Sequence, residues 1–249
     1  MEKVFGVHAA KALLASRPKA IKKAWLLKGR DDPRFEPLRT ELQNLPIEIF
    51  AVDRNELDEM VEGNHQGVVM EVSPAEVYPE GYIEQCLAVT VSNGKVPLVL
   101  VLDQVQDPHN LGACIRSADA AGVDLVIAPR KQSAGLTATV RKVACGACET
   151  TPFVQVTNLS RTLKKLQEAG LWIVGAAGEA DKSLYEQDFS VPTALVMGAE
   201  GKGMRRLTRE HCDHLASLPM AGGVSSLNVS VATGIFLFEA VRQRRLIAS

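Results

Sequence analysis

Leu195–Gly234 reads LVMGAEGKGMRRLTREHCDHLASLPMAGGVSSLNVSVATG, and the order of its parts decides the fold. The apolar run Ala194–Met197 is short enough for a buried strand and breaks into Gly198, Gly201 and Gly203. A second run, Leu215–Met220, turns on Gly222-Gly223. It leads to Ser225, Ser226, Asn228 and Ser230 at the mouth of a long helix-like segment. Glycine lets backbone approach a ligand closely, and ligands bind at strand-to-loop junctions of parallel α/β sheets. The stretch therefore has the makings of a binding site on such a sheet.

Upstream of it, from Val96, short apolar runs alternate with helical patterns. Strands are expected at Pro97–Leu102, Asp124–Ala128, Phe153–Val156 and Leu171–Gly175. Helices are expected at Leu111–Ala121 (closed by Gly122), Thr137–Ala144, from Asn158 to Ala169-Gly170, and from Asn228 to Leu246. Unbroken apolar strands between helices indicate an α/β fold with a mostly parallel sheet covered on both faces. Residues 1–72 read as a smaller α/β unit. In it Val7–Leu14 is helical, Ala24–Leu27, Pro46–Ala51 and Val68–Val72 are strands, and Pro33 suits the first turn of a second helix. Asp53 with Glu56 resembles a capping box. Residues 73–95, with Pro74, Pro79, Gly81 and Asn93-Gly94, read as a linker. The expected division is thus 1–72, a linker 73–95, and 96–249.

At 249 residues there is room for one large domain or a small and a medium one. No apolar run approaches the roughly 20 residues of a membrane span, and Met1–Ala10 lacks a signal-peptide core. Five cysteines without framework spacing suit a reducing cytosol. The net charge of −1 hides an asymmetry: +6 over 1–40, −9 over 41–95 and +2 over 96–249. A basic end can be a footprint for phosphates, although a solvated lysine face gives the same sum.

The usual nucleotide and metal motifs are absent. Leu102 is followed by DQVQDPHNLGACIR rather than a G-x-G-x-x-G, and Gly201-Lys202 is followed by Gly203 rather than Ser or Thr. Cys145-Gly-Ala-Cys148 has C-x-x-C spacing without a second pair, so packing cysteines are the better reading. The five histidines have no metal-ligand spacing.

Three segments together carry a resemblance. They are Asp107-Pro-His-Asn110-Leu-Gly-Ala-Cys-Ile-Arg116-Ser-Ala, then Val196-Met-Gly198-Ala-Glu200-Gly-Lys-Gly203, then Leu218-Pro-Met through Ser225-Ser226-Leu227-Asn228-Val-Ser-Val-Ala. In this order and spacing, from about Pro97 to Arg244, the chain resembles the SpoU (TrmH-like) group of SPOUT RNA 2'-O-ribose methyltransferases. Gly6-Val-His8-Ala and His65-Gln-Gly67-Val resemble the ribosomal-protein-like RNA-binding domain that precedes the catalytic domain in some members.

The resemblance implies a trefoil-knotted second domain that holds S-adenosyl-L-methionine among three loops, with contacts around Gly198, Leu218 and Leu227. It assigns Arg116 to the catalytic position. Arginine is a poor base but a strong phosphate fork that can stabilise a developing alkoxide. Asn110 would fix Arg116 or the ribose, or cap a helix. Glu200 would orient Arg116 or take a proton, or else be a solvated loop acid. Ser226 and Asn228 would bind substrate or support Glu200, and can equally cap the last helix. His109 is a secondary base candidate. Lys202, Arg205 and Arg206 follow the glycines and are expected to meet backbone phosphates.

The two-domain likeness is to members that methylate a guanosine in the peptidyl-transferase P loop. It implies 23S rRNA or an assembling large ribosomal subunit as partner, a homodimer with each site built across two knotted domains, a cytoplasmic location, and no metal or membrane. Two other readings stand beside it. One is the same chemistry on tRNA, and the other is a non-catalytic RNA-binding protein of ribosome assembly.

Overall fold

The computed structural model describes residues 1–30, 32–33, 35–73 and 78–248; Pro74 lies outside them. The chain separates into two compact units, one from 1–76 with 145–150 and one from 77–144 with 151–249.

In the first unit β1 (Glu2–Phe5), α1 (Val7–Ser16), β2 (Ile21–Leu27), α2 (Glu36–Gln43), β3 (Glu48–Val52), α3 (Arg54–Met60) and β4 (Val68–Val72) follow one another. The sheet order is β1-β4-β2-β3, with β2 and β3 parallel and the other pairs antiparallel. Alternation along β2 buries Ile21, Ala24 and Leu26 against Leu13, Leu38 and Leu42 from α1 and α2. The capping box expected at Asp53 and Glu56 opens α3. Pro33 does not enter a helix. Pro37 takes the first turn of α2 instead, where a missing N–H costs no hydrogen bond. β1, unread in the sequence, pairs with β4 from Glu2 to Phe5.

The second unit opens with a difference from expectation. Within the stretch read as a linker, Tyr82–Ser92 form helix α4, which buries Ile83 and Leu87. Then come β5 (Leu98–Asp103), α5 (Pro108–Ala120), β6 (Leu125–Pro129), α6 (Ala138–Ala144), β7 (Phe153–Val156), α7 (Leu159–Glu168), β8 (Trp172–Ala176), β9 (Thr193–Gly198), α8 (Arg206–Glu210), β10 (His214–Ala216) and α9 (Val229–Ala248).

The six strands lie in the order β10-β8-β9-β5-β6-β7, all parallel. The expected mostly parallel α/β sheet is what forms. The central strand β5 is buried at every residue, which is why its sequence is an apolar run rather than an alternation. α7 carries Leu159, Thr162, Leu163 and Leu166 on one stripe and caps on Asn158, whose side chain accepts from the Arg161 N–H at 3.0 Å. β10 is only three residues long; beyond it Ser217 leaves β8 and bridges in parallel to Ser183.

Arg244 on α9 fastens that helix to the sheet. Its guanidinium donates to the carbonyls of Phe189, Val96, Pro97 and Val191 at 2.7–3.0 Å. Burial pulls its pKa below the usual arginine value.

Candidate active site

In a parallel sheet the carboxyl ends of all strands face one way, so the loops after β5, β6, β8, β9 and β10 gather at one edge. The β9 loop is fixed most tightly. Gly198 ends β9, and the chain doubles back so that Ala199 and Gly203 pair in both directions, at 3.0 and 2.9 Å. This makes a hairpin with Glu200, Gly201 and Lys202 at its tip. Gly201 and Gly203 have φ of +75° and +66°, a region that side chains disfavour. Gly198 is required for a different reason: a β-carbon there would meet the Gly203 carbonyl carbon at 2.2 Å.

The end of the hairpin is held by a residue that the motif reading passed over. Asp103, the last residue of β5, is fully buried beside Gly198 in register. Its Oδ1 accepts from Arg205 Nε and from Nη2, both at 2.7 Å, and its Oδ2 accepts from the Arg205 N–H at 2.9 Å. A carboxylate buried at the end of an all-apolar strand needs such a partner. That was the available signal in LVLVLD.

Two chambers flank the hairpin. One, of about 430 Å³, is lined by Gly198 and the hairpin, the 176–179 loop, Leu218, Met220, Leu227 and Phe236. The other, of about 250 Å³, is lined by Gln104, Val105, Asp107, Asn110 and Gln132 among others. Ala199, Glu200, Lys202 and Val229 belong to both walls.

Three of the expected residues are linked across that wall. Asn110 Nδ2 donates to Glu200 Oε2 at 3.3 Å, and Asn228 Nδ2 donates to Asn110 Oδ1 at 2.9 Å. Asn228 Oδ1 accepts from the Ser230 N–H at 2.9 Å and from its hydroxyl at 2.6 Å, so Asn228 also caps α9. Asn110 does not cap α5; that place belongs to Asp107, which accepts from the His109 N–H. Ser226, Leu218, Leu227 and Gly198 all line the larger chamber.

Arg116 is not brought into this group. It is exposed on α5 and lines neither chamber. The helix explains this. Six residues beyond Asn110 at about 100° each put Arg116 roughly 240° around the axis and about 9 Å along it. The basic residues after the glycines have different surroundings. Arg205 is committed to Asp103 and Arg206 pairs with Glu210, which leaves Lys202 as the cation on both chamber walls.

Cysteines near the sheet edge are thiols held neutral. Burial pushes Cys212 up to about 12 and Cys114 to about 11. Cys145, read as a packing residue, is instead exposed just past α6 at φ +52°, while Cys148 is half-buried.

A model of the SpoU rRNA methylase family matches residues 97–238, and one described as RNA 2'-O ribose methyltransferase substrate binding matches residues 3–78. The chain belongs to the SpoU rRNA methylase family. Among relatives of this family, the 23S rRNA (guanosine-2'-O-)-methyltransferase RlmB of Pseudomonas aeruginosa is 64% identical over 98% of this chain and 97% of its own length. That of Salmonella typhi is 55% identical over 98% and 99%.

Solved SpoU-type structures share the architecture. AviRb from Streptomyces viridochromogenes is 25% identical with a TM-score of 0.74, covering 98% of this chain and 90% of that one. An AdoMet-bound rRNA methyltransferase from Sinorhizobium meliloti is 25% identical with a TM-score of 0.73, covering 96% and 86%. Among the described residues no helix is long and apolar enough to cross a membrane.

Proposed function

We propose that this protein transfers a methyl group from S-adenosyl-L-methionine to the ribose 2'-hydroxyl of a guanosine in 23S rRNA, in the peptidyl-transferase P loop. The observation that carries this reading is the Asn228–Asn110–Glu200 chain, which joins all three motifs on a wall between two chambers. Near-identity in length to the 64% identical RlmB of Pseudomonas aeruginosa supports the choice of 23S rRNA over tRNA.

The larger chamber fits the cofactor. It pairs apolar Leu218, Leu227 and Phe236, suited to an adenine ring, with a glycine hairpin whose backbone can meet polar edges. Gly198, where a β-carbon has no room, keeps that backbone close. The cofactor supplies an activated methyl group on a sulfonium.

What remains for the protein is alignment and management of the hydroxyl proton. Glu200 is the carboxylate that lines both chambers, and Asn110 fixes its orientation while Asn228 fixes Asn110. Ser226 borders the cofactor side and binds substrate or supports Glu200. Arg116, facing outward on α5, serves the site of a second protomer in a homodimer, where it stabilises the developing alkoxide and steers the adjacent phosphate. Residues 1–72 bind the RNA, the methyltransferase domain of 96–249 carries the chemistry with α4 packed into its core, and the protein works in the cytoplasm without a metal.

Transfer of labelled methyl to 23S rRNA from cells lacking this protein tests the reading. The wild type is expected to modify one guanosine, and Arg116→Ala to lose turnover while still binding cofactor. RNA binding without methyl incorporation by the wild type would leave only an assembly factor.

A further inference from the structure

Among the described residues of the second unit, Gln104 and Gln132 are the only non-glycine residues with left-handed backbone, at φ of 66° and 60°. Side chains other than those of Asn and Asp rarely enter this region, and residues held there gather at ligand sites. Both stand just past the carboxyl ends of neighbouring strands, β5 and β6, and both line the smaller chamber together with Asn110 and Glu200.

They also meet each other, with Gln104 Nε2 donating to Gln132 Oε1. The loop that carries Gln132 is braced. Ser133 Oγ and the Ala134 N–H both donate to the Val105 carbonyl, at 3.2 and 2.9 Å. Two amides are thus held edge to edge on a fixed frame.

Their mutual bond uses one end of each amide. The remaining ends are an acceptor, Gln104 Oε1, and a donor, Gln132 Nε2. A guanine edge offers the complement, the O6 acceptor for Gln132 Nε2 and the adjacent N1–H and N2–H donors for the two lone pairs of Gln104 Oε1; adenine has a single donor there and lacks the third contact. Unstacked bases in RNA loops are read in this way, on their Watson–Crick edges. A ribose brought to Asn110 and Glu200 carries its base into the same chamber, because only one bond separates them. Neither glutamine is a partner in the Asn228–Asn110–Glu200 chain.

Resting on the methyl-transfer reading, we propose that Gln104 and Gln132 are the specificity pair that reads the target base and selects guanine. The strain of two left-handed glutamines is maintained because it aims both amides into the chamber.

The test uses the full-length protein with Gln104→Gly and Gln132→Gly, singly and together, and Gln104→Asn. Two 23S rRNA transcripts serve as substrates, differing only in guanosine or adenosine at the methylated position, with labelled S-adenosyl-L-methionine as donor. The wild type is expected to prefer guanosine, and the double variant to lose about 10- to 100-fold of that preference, the scale of a bidentate base contact. Cofactor Kd stays as in the wild type, and Tm holds or rises, because glycine is at ease where glutamine is strained. Gln104→Asn, which keeps an amide and tolerates the left-handed region, retains most of the preference.

The proposal is overturned if the double variant discriminates as the wild type does, or if preference falls only in step with Tm. If the wild type methylates neither transcript, the methyl-transfer reading itself has failed and the pair falls with it. That pattern differs from an active enzyme with unaltered preference.

Discussion

Replacing Gly198 by alanine tests the hairpin on which both chambers depend. The added carbon would stand 2.2 Å from the Gly203 carbonyl carbon, 2.3 Å from Met204 N and 2.6 Å from the Gly203 oxygen. Carbon atoms rest about 3.5–4.0 Å apart, so the returning strand must retreat by more than about 1 Å. All three atoms are backbone and cannot swing aside as a side chain would. The retreat pulls on the Ala199–Gly203 pair, whose two bonds are 3.0 and 2.9 Å.

Overpacking costs about 1–3 kcal/mol, and each weakened hydrogen bond adds about 0.5–1.5 kcal/mol. A total near 3 kcal/mol corresponds to a fall of roughly 6–12 °C in Tm for a domain of this size. Because the displaced backbone walls the larger chamber, S-adenosyl-L-methionine affinity by calorimetry should drop at least about tenfold, the equivalent of 1.4 kcal/mol. Gly201→Ala is the control. At φ +75° but with no atom within 4 Å of its β-carbon, it carries only the left-handed penalty of about 1–2 kcal/mol. Equal effects at the two positions, or unchanged cofactor binding in Gly198→Ala, would refute the close-approach argument.

Asp103→Ala strands the Arg205 guanidinium and frees the end of the hairpin. Removing one partner of a buried pair costs about 3–5 kcal/mol, and the low end is expected because the Arg205 side chain stays 38% exposed; urea denaturation giving under about 1 kcal/mol would contradict it. Arg244→Met leaves four carbonyls without their donor and should cost about 3 kcal/mol or more, with Arg244→Lys intermediate, in the same measurement. Alkali should expose the buried thiols. Cys86 and Cys114 are raised to about 11 and Cys212 to about 12 by burial, from an unfolded value of 9.0. A raised folded pKa contributes full stability below pH 9 and loses it as pH climbs toward 11–12, at up to about 1.4 kcal/mol per pH unit for each thiol. Thermal scans from pH 8 to 11 should show a descending Tm, flattened in a Cys86, Cys114 and Cys212→Ala triple variant; parallel curves for the two proteins would remove thiol burial as the cause.

How much was legible in the sequence depended on whether a signal was local. Val68–Val72 and Phe153–Val156 were read to the residue, because both are short, mostly apolar segments rich in Val and flanked by Gly67 or Pro152 and by polar Ser73 or Thr157. Helix α4 was hidden because Gly81 offers no side-chain cap and Pro79, Asn93 and Gly94 gave turn signals on both sides. Asn110, Glu200 and Asn228 were legible through motif resemblance, although their mutual bonds were not. Asp103, Gln104 and Gln132 were missed for a common reason. Each acquires its role from a neighbouring strand, β9 for Asp103, β6 for Gln104 and β5 for Gln132, and strand order in a parallel sheet is set by crossovers of many residues that no local pattern encodes. Arg116 shows the reverse: the motif named it, and the helical period then turned it away from the chambers.

The bonds that join Asn110 to Glu200 and to Asn228 close spans of 90 and 118 residues. Ordering chain segments so remote from each other carries an entropic penalty that is repaid only when most of the sheet is already in place. These contacts therefore belong to the final stage of folding, after its rate-limiting step. Substitutions at Asn110 or Asn228 should accelerate unfolding and leave the refolding rate nearly untouched. Mutational drift in the pocket would then erode how long the native state persists, not how quickly it is reached.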